Sequence, residues 1–280
     1  MNDGWMPVSM RLGNKPIFEI SEWIPDEVKP SIISIISELV YRNRIDLDIF
    51  IARLRVPNYP LLNTEDRFFA YMKDSQENFV DCIDFVVFNT DGYYDKCGDL
   101  LIKLRDILHY SNTNWMIGCD EDTHKLMMQR RVLPETQEHY LSLANSVDEL
   151  AGRHLKDAWR NAYMHNGSHK QAWESARKAV ECLLHPIVSP DNNRATITSM
   201  IRDIKAKPDK WICDIPAKEA DGSNGSVMKF LEFLKMMPYE PGHHGQSDGS
   251  ITEREAQAQV AIASTICQIL HDKGFRQKNG

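Results

Sequence analysis

A mostly α-helical chain in two parts, with one small β-hairpin near residues 113–128, is the fold this sequence predicts. Three observations carry that expectation. Apolar residues recur at three- and four-residue spacing through nearly every long segment. Those segments open on Asp, Thr or Ser and stop near Pro, Gly or Asn. Only one stretch abandons the helical period, for two short apolar runs around an acidic tip. The 280 residues, 42% of them apolar, are enough for one large domain or two small ones. Pro134 is the boundary we read between an N-terminal helical part, 1–133, and a C-terminal helical part, 134–280.

Residues 1–22, with Pro7, Gly13 and Pro16, read as an arm of little regular structure. Asp26 is placed to cap a helix over 26–42, whose apolar face is Ile32, Ile33, Ile35, Ile36, Leu39 and Val40. A short helix over 47–54 is stopped by Pro57 and Pro60. Thr64 opens a further helix through Phe68, Met72, Phe79, Cys82, Ile83 and Val86 to a turn at 89–92, and another covers 99–109. Between Ser111 and Val132, Trp115-Met116-Ile117 and Lys125-Leu126-Met127 predict strands around Asp120-Glu121-Asp122. That tip lacks the glycine and terminal glutamate of a calcium loop.

The second part opens with one long helix over 135–162, broken by Asn166-Gly167-Ser168. Ser168 caps the next, which carries Ala172, Trp173, Ala176, Ala179, Val180 and Leu184 and ends at Pro186. The two make a helical hairpin in which small alanines permit close approach. A short helix over 196–204, a connection over 207–226 anchored by Trp211, and a helix over 227–236 follow. Thr252-Glu253-Arg254-Glu255 is a capping box that opens the last helix.

A net charge of −7 argues against a protein that coats nucleic acid through bulk attraction. The exception is local. Between residues 153 and 178 stand Arg153, Lys156, Arg160, Lys170, Arg177 and Lys178 against Asp157 and Glu174, an excess of four positive charges. His154, His165 and His169 share the window. One basic window in an acidic chain points to a confined RNA or anion site, and a solvated helix pair is the plainer alternative. The six cysteines are scattered with no C-x-x-C pair, so reduced and mostly buried thiols are expected, with no metal and no cofactor. No run approaches the roughly 18 apolar residues of a membrane span. The first residues lack the basic-then-apolar order of a signal peptide, so a cytoplasmic protein with no membrane partner is expected.

Arg160-Asn161-Ala162-Tyr163-Met164-His165 is the segment with chemistry in it. Residues five apart on an ideal helix point about 140° apart, so Arg160 and His165 address one phosphate only if the helix ends between them. The turn at Asn166-Gly167 allows that. In RNA cleavage His165 would move protons near neutral pH, Arg160 would stabilise phosphorane charge, and Asn161 would orient the phosphate. Arg153, Lys156, Lys170, Arg177 and Lys178 would hold the flanking RNA.

This spacing resembles the R-x4-6-H motif of HEPN-domain ribonucleases, helical proteins of toxin and antiviral systems in which a dimer brings two motifs across one RNA. A broader resemblance covers about residues 140–272. His154-Leu155, Ala158-Trp159, Ala162-Tyr163, the run from Ala176 to Glu181, and His244-Gly245 before an alanine-rich last helix are similar to bacterial abortive-infection proteins with a HEPN-like C-terminal helical domain. Those domains carry an arginine several residues before His-Gly, whereas here the nearest upstream cation is Lys235. The resemblance implies a HEPN-like C-terminal domain, a homodimer, a protein partner in a defence system, and a secondary candidate loop at His243 and His244. Two functions stand open. One is a non-catalytic helical protein that senses or binds RNA or a protein partner; the alternative is a metal-independent endoribonuclease.

Overall fold

A proline in its first turn starts helix α1 (Lys29–Asn43), ahead of which Asp26–Val28 form a 3-10 turn. Pro30 fits there because first-turn N–H groups have no helical partner to lose. Asp26 does not cap the helix; it pairs with Lys29 at 2.7 Å. The structure, a computed structural model, describes residues 12, 20–58, 61–90, 94–120, 123–165, 167–218, 225–237 and 251–278. Most of the expected N-terminal arm lies outside them, as do Glu121 and Asp122 of the acidic tip and part of the turn at 89–92.

Helices α1 and α2 (Leu47–Leu54) close in the same way. Arg44 and Arg55 sit at φ 51° and 49°, in the left-handed region. The next N–H then reaches back five residues, from Ile45 to Val40 O and from Val56 to Ile51 O, each at 3.1 Å. Glycine is the usual occupant of such a position. The single helix expected from Thr64 is in fact two, α3 (Thr64–Asp74) and α4 (Gln76–Asn89). Ser75 between them is extended, and its hydroxyl accepts the Asn78 N–H at 3.0 Å to cap α4. Helix α5 (Tyr94–Tyr110) begins five residues ahead of the expected Asp99.

Strands β1 (Trp115–Cys119) and β2 (Leu126–Arg130) form the expected antiparallel hairpin, with Trp115 opposite Arg130 and Cys119 opposite Leu126. Strand β2 packs on α4, whose buried Asp84 carboxylate accepts the Met128 N–H at 2.7 Å. Around this contact Ile32, Ile36, Phe68, Phe79, Ile83 and Leu104 are completely buried.

By their internal contacts, Met1–Arg131 and Val132–Gly280 are two compact units. The second contains α6 (Pro134–Ser146), α7 (Glu149–Tyr163), α8 (His169–Val188), α9 (Ile197–Ala206), β3 (Trp211–Cys213), α10 (Ser226–Leu234), α11 (Glu253–His271) and β4 (Phe275–Gln277). The expected long helix over 135–162 is thus α6 and α7. Val147 is extended, and Asp148 caps α7 by accepting the Leu150 N–H at 2.9 Å. Gly152 permits the tight corner, since a Cβ there would lie 2.3 Å from the Ala144 carbonyl oxygen. Helix α8 runs two residues past its expected stop at Pro186, which the last turn accommodates.

Helix α8 packs against both α7 and α11, and its alanines Ala172, Ala176 and Ala179 are fully buried. From α11 the buried side is Ala256, Val260, Ala263, Ile266, Cys267 and Leu270. The capping box is present as read, with Thr252 N–H on Glu255 Oε2 at 2.9 Å and Glu255 N–H on Thr252 Oγ1 at 3.3 Å. A second strand pair corrects the expectation of a single β element. Strands β3 and β4 are antiparallel, Trp211 opposite Gln277 and Cys213 opposite Phe275. The Phe275 ring stacks between Trp211 and Phe230, at 5.3 and 4.6 Å.

All six cysteines remain thiols: Cys82, Cys97, Cys213 and Cys267 are buried, Cys182 is half-buried and Cys119 is exposed. Burial pushes the Cys82 thiol far up and the Cys267 thiol to about 12.

Candidate functional site

Helix α7 stops at Met164, whose extended backbone (ψ 146°) turns the chain toward α8. Asn161 builds the elbow. Its amide nitrogen donates to Asp157 O at 2.8 Å, and its amide oxygen accepts the Ser168 N–H at 3.0 Å. Ser168 in turn caps α8 by accepting the Gln171 N–H at 3.3 Å. Gly167 has no room for a side chain, since a Cβ would stand 2.3 Å from Asn161 O. Both ends of the amide expected to orient a phosphate are therefore engaged by backbone.

Arg160 and His165 do lie on either side of the helix end, the condition their spacing imposed. Arg160 is ion-paired with Asp157 three residues earlier, both side chains being nearly two-fifths exposed. His165 is half-buried in the turn beyond α7. Just past it, His169 Nδ1–H donates to Ile251 O at 3.2 Å. Gln257 on α11 donates to Glu253 Oε1 at 2.9 Å and to Ala162 O at 3.4 Å. The start of α11 is thereby fastened to the elbow. His243 and His244 lie outside the described residues.

Of the expected RNA-binding side chains, Arg153, Lys170 and Lys178 are exposed, whereas Lys156 and Arg177 are half-buried. Arg153, Lys156 and Arg160 recur at three- and four-residue spacing and so share the outer face of α7, opposite buried Ala151, Leu155, Ala158 and Ala162. Lys170 and Arg177, seven apart, form one stripe along α8. The side chains of Arg153, Lys156, Lys170 and Lys178 make no hydrogen bond or ion pair among the described residues.

His154 stands in the basic window and in the resembling pattern, but the sequence assigned it no role. It is half-buried on α7 and its imidazole is held below the ordinary value, first by burial and then by the Lys178 ammonium on α8. Arg153 acts in the same direction, while Asp157 and Glu181 oppose it. Glu181 is already committed, since its Oε1 accepts the Ile197 N–H at 3.0 Å. Only the packing of α8 on α7 brings Lys178 to His154, so no local spacing announces the pair. The aromatic side chains nearby face the core. Trp159 is buried between Tyr140 (4.6 Å) and Tyr163 (4.2 Å), which leaves its ring no face for a nucleic-acid base.

Compared with known proteins, the chain matches no family model, no curated protein and no solved structure. Among the described residues no three His, Cys, Asp or Glu side chains gather as a metal site requires. None of their helices is long and apolar enough to cross a membrane.

Proposed function

We propose that this is a non-catalytic binding protein that grips RNA through the outer face of the α7–α8 hairpin. The observation that supports it is a set of four cations, Arg153, Lys156, Lys170 and Lys178, whose side chains make no hydrogen bond or ion pair among the described residues, on one hairpin of a chain whose net charge is −7. A phosphate backbone is the ligand such a surface attracts, because each neutralised phosphate releases a condensed counterion. Binding is favoured over cleavage by two engagements at the elbow. The guanidinium of Arg160 is shared with Asp157, and the Asn161 amide closes the turn. A defence setting and a protein partner are further parts of this proposal and rest on the resemblance alone, while a homodimer rests on that resemblance and on the strongly apolar helices.

Fluorescence anisotropy with a labelled single-stranded RNA of about twenty nucleotides tests it. Replacing Arg153 and Lys156 by Glu should weaken binding about tenfold or more and flatten the dependence of log K on log salt by about 0.7 per lost phosphate contact. Unchanged affinity and slope would remove the hairpin from RNA recognition. The same RNA incubated with the protein in EDTA should stay intact. Cleavage that disappears in His165→Ala would replace the binding reading by the endoribonuclease one.

A further inference from the structure

A second basic surface exists in this unit, and it is assembled from pieces far apart in sequence. Helices α9 and α10 are in contact, and Met200, Ile204, Phe230 and Leu234 belong to the same buried cluster. That contact brings Lys205 of α9, Lys229 of α10 and Lys235 just past the end of α10 around one carboxylate. Glu232 accepts a hydrogen bond from Lys235 Nζ at 2.6 Å, which holds its carboxyl below the ordinary value with smaller help from the charges of Lys229 and Lys205. Beyond α9 the chain makes a 3-10 turn, in which Lys210 N–H donates to Lys207 O at 3.1 Å. Strand β4 then lays its end beside that turn, and Lys278 N–H donates to Lys210 O at 2.9 Å. The strand pair β3–β4 is thus what carries the C-terminal lysine to the lysines that follow α9.

All six ammonium-bearing residues are exposed. The side-chain ammonium groups of Lys205, Lys207, Lys229 and Lys278 make no hydrogen bond or ion pair among the described residues. Lys210 lies over the Trp211 ring at 5.0 Å, which leaves its charge at the surface. Among the described residues the exposed acids on these segments are Asp203, Asp209, Asp214 and Glu232; Glu232 is taken by Lys235, and Asp214 pairs with Arg276 at 2.7 Å. Six lysines against four exposed acids, two of them already paired, make this a positive island among the described residues of an acidic chain.

We infer that Lys205, Lys207, Lys210, Lys229, Lys235 and Lys278 form a docking surface for a nucleic-acid phosphate backbone, separate from the α7–α8 hairpin and not resting on the hairpin reading. The side-chain types select that partner. Lysines are point charges that suit phosphates without demanding a fixed orientation. The neighbouring rings Trp211, Phe230 and Phe275 are buried, so none of these three offers a base a stacking platform. Recognition is therefore of backbone charge and independent of sequence.

The test uses the full chain and two triple variants, Lys205→Glu/Lys210→Glu/Lys278→Glu and the same three positions changed to Gln, beside the Arg153→Glu/Lys156→Glu hairpin variant. A labelled single-stranded RNA and a single-stranded DNA of about twenty nucleotides are the probes, with polyglutamate as competitor. The Glu triple should bind both probes about tenfold or more weakly, with a log–log salt slope shallower by about 2 for three lost contacts. The Gln triple should show a smaller loss in the same direction, and it decides the matter if the Glu triple melts early. Loss in the lysine variants with full binding by the hairpin variant upholds this surface and removes the hairpin reading. Loss in the hairpin variant alone does the reverse. Binding unchanged in the lysine variants, no binding by the unmodified chain, or polyglutamate displacing the probes at equal charge would each overturn the inference.

Discussion

Ser168 donates its backbone N–H to Oδ1 of Asn161 at 3.0 Å, and this bond closes the elbow between α7 and α8. Because the other end of the Asn161 amide holds Asp157 O, Asn161→Ala removes two hydrogen bonds at once. The expected loss is about 1–3 kcal/mol, at roughly 0.5–1.5 kcal/mol for each bond of this kind. Asn161→Asp keeps the acceptor for Ser168 and should recover part of it. Thermal melts of the three proteins give the answer, and an Ala variant that melts with the parent would show the elbow to be held by something else.

Gly152→Ala tests the corner between α6 and α7. Alanine inside a helix gains about 0.8–1 kcal/mol of propensity over glycine. Here the new Cβ would meet a backbone carbonyl oxygen, that of Ala144, at 2.3 Å. Forcing helices apart costs typically 1–3 kcal/mol, which outweighs the propensity gain. A urea midpoint shifted downward is the expected result, and an upward shift would mean that the corner opens without penalty.

His154 makes stability depend on pH in a definite direction. Its folded imidazole is held below the ordinary value by burial and by Lys178, so the folded state takes up its proton less readily than the unfolded chain. The favourable contribution is present above the unfolded value near 6.5 and is lost as pH falls from there through the lower folded value. His154→Gln should therefore lose less stability than the parent between about pH 7.5 and pH 5.5. Parallel losses in urea titrations at the two pH values would contradict this assignment.

Arg44 and Arg55 hold left-handed backbone at two helix ends. An L-residue with a Cβ is disfavoured there by roughly 1–2 kcal/mol, and glycine is not. Arg44→Gly and Arg55→Gly should each raise the melting temperature, by an amount equivalent to about 1 kcal/mol or less once the added freedom of the unfolded chain is subtracted. Arg44→Val should lower it. A glycine variant that melts earlier would mean the arginine side chain contributes more than its backbone strain removes.

Much of the fold was legible where the signal is local. Thr252 with Glu255, Ser168 ahead of α8, and the alternation around Trp115 and Met127 each settle a boundary within a few residues. The breaks at Ser75 and Val147 were not legible, because the apolar period continues across both and only the cap geometry reveals the second helix. The strand pair β3–β4 was missed for a different reason. Trp211 to Cys213 is three residues long, and its partner lies more than sixty residues later in the chain. The site divides in the same way. The cations of α7 and α8 are visible as a window of charge, and the Arg160–Asp157 pair follows from helical spacing. Lys178 beside His154, and Lys278 beside Lys210, depend on packing that no window contains.

The distribution of sulfur makes the folded chain a labelling reagent of unusual selectivity. Cys119, at the end of β1, is exposed, Cys182 is half-covered, and the remaining four are shut inside the two units. A maleimide fluorophore added briefly to native protein should therefore settle mainly on the hairpin of the first unit. The count of dyes per molecule, climbing toward six in denaturant, would then report how far each unit has opened.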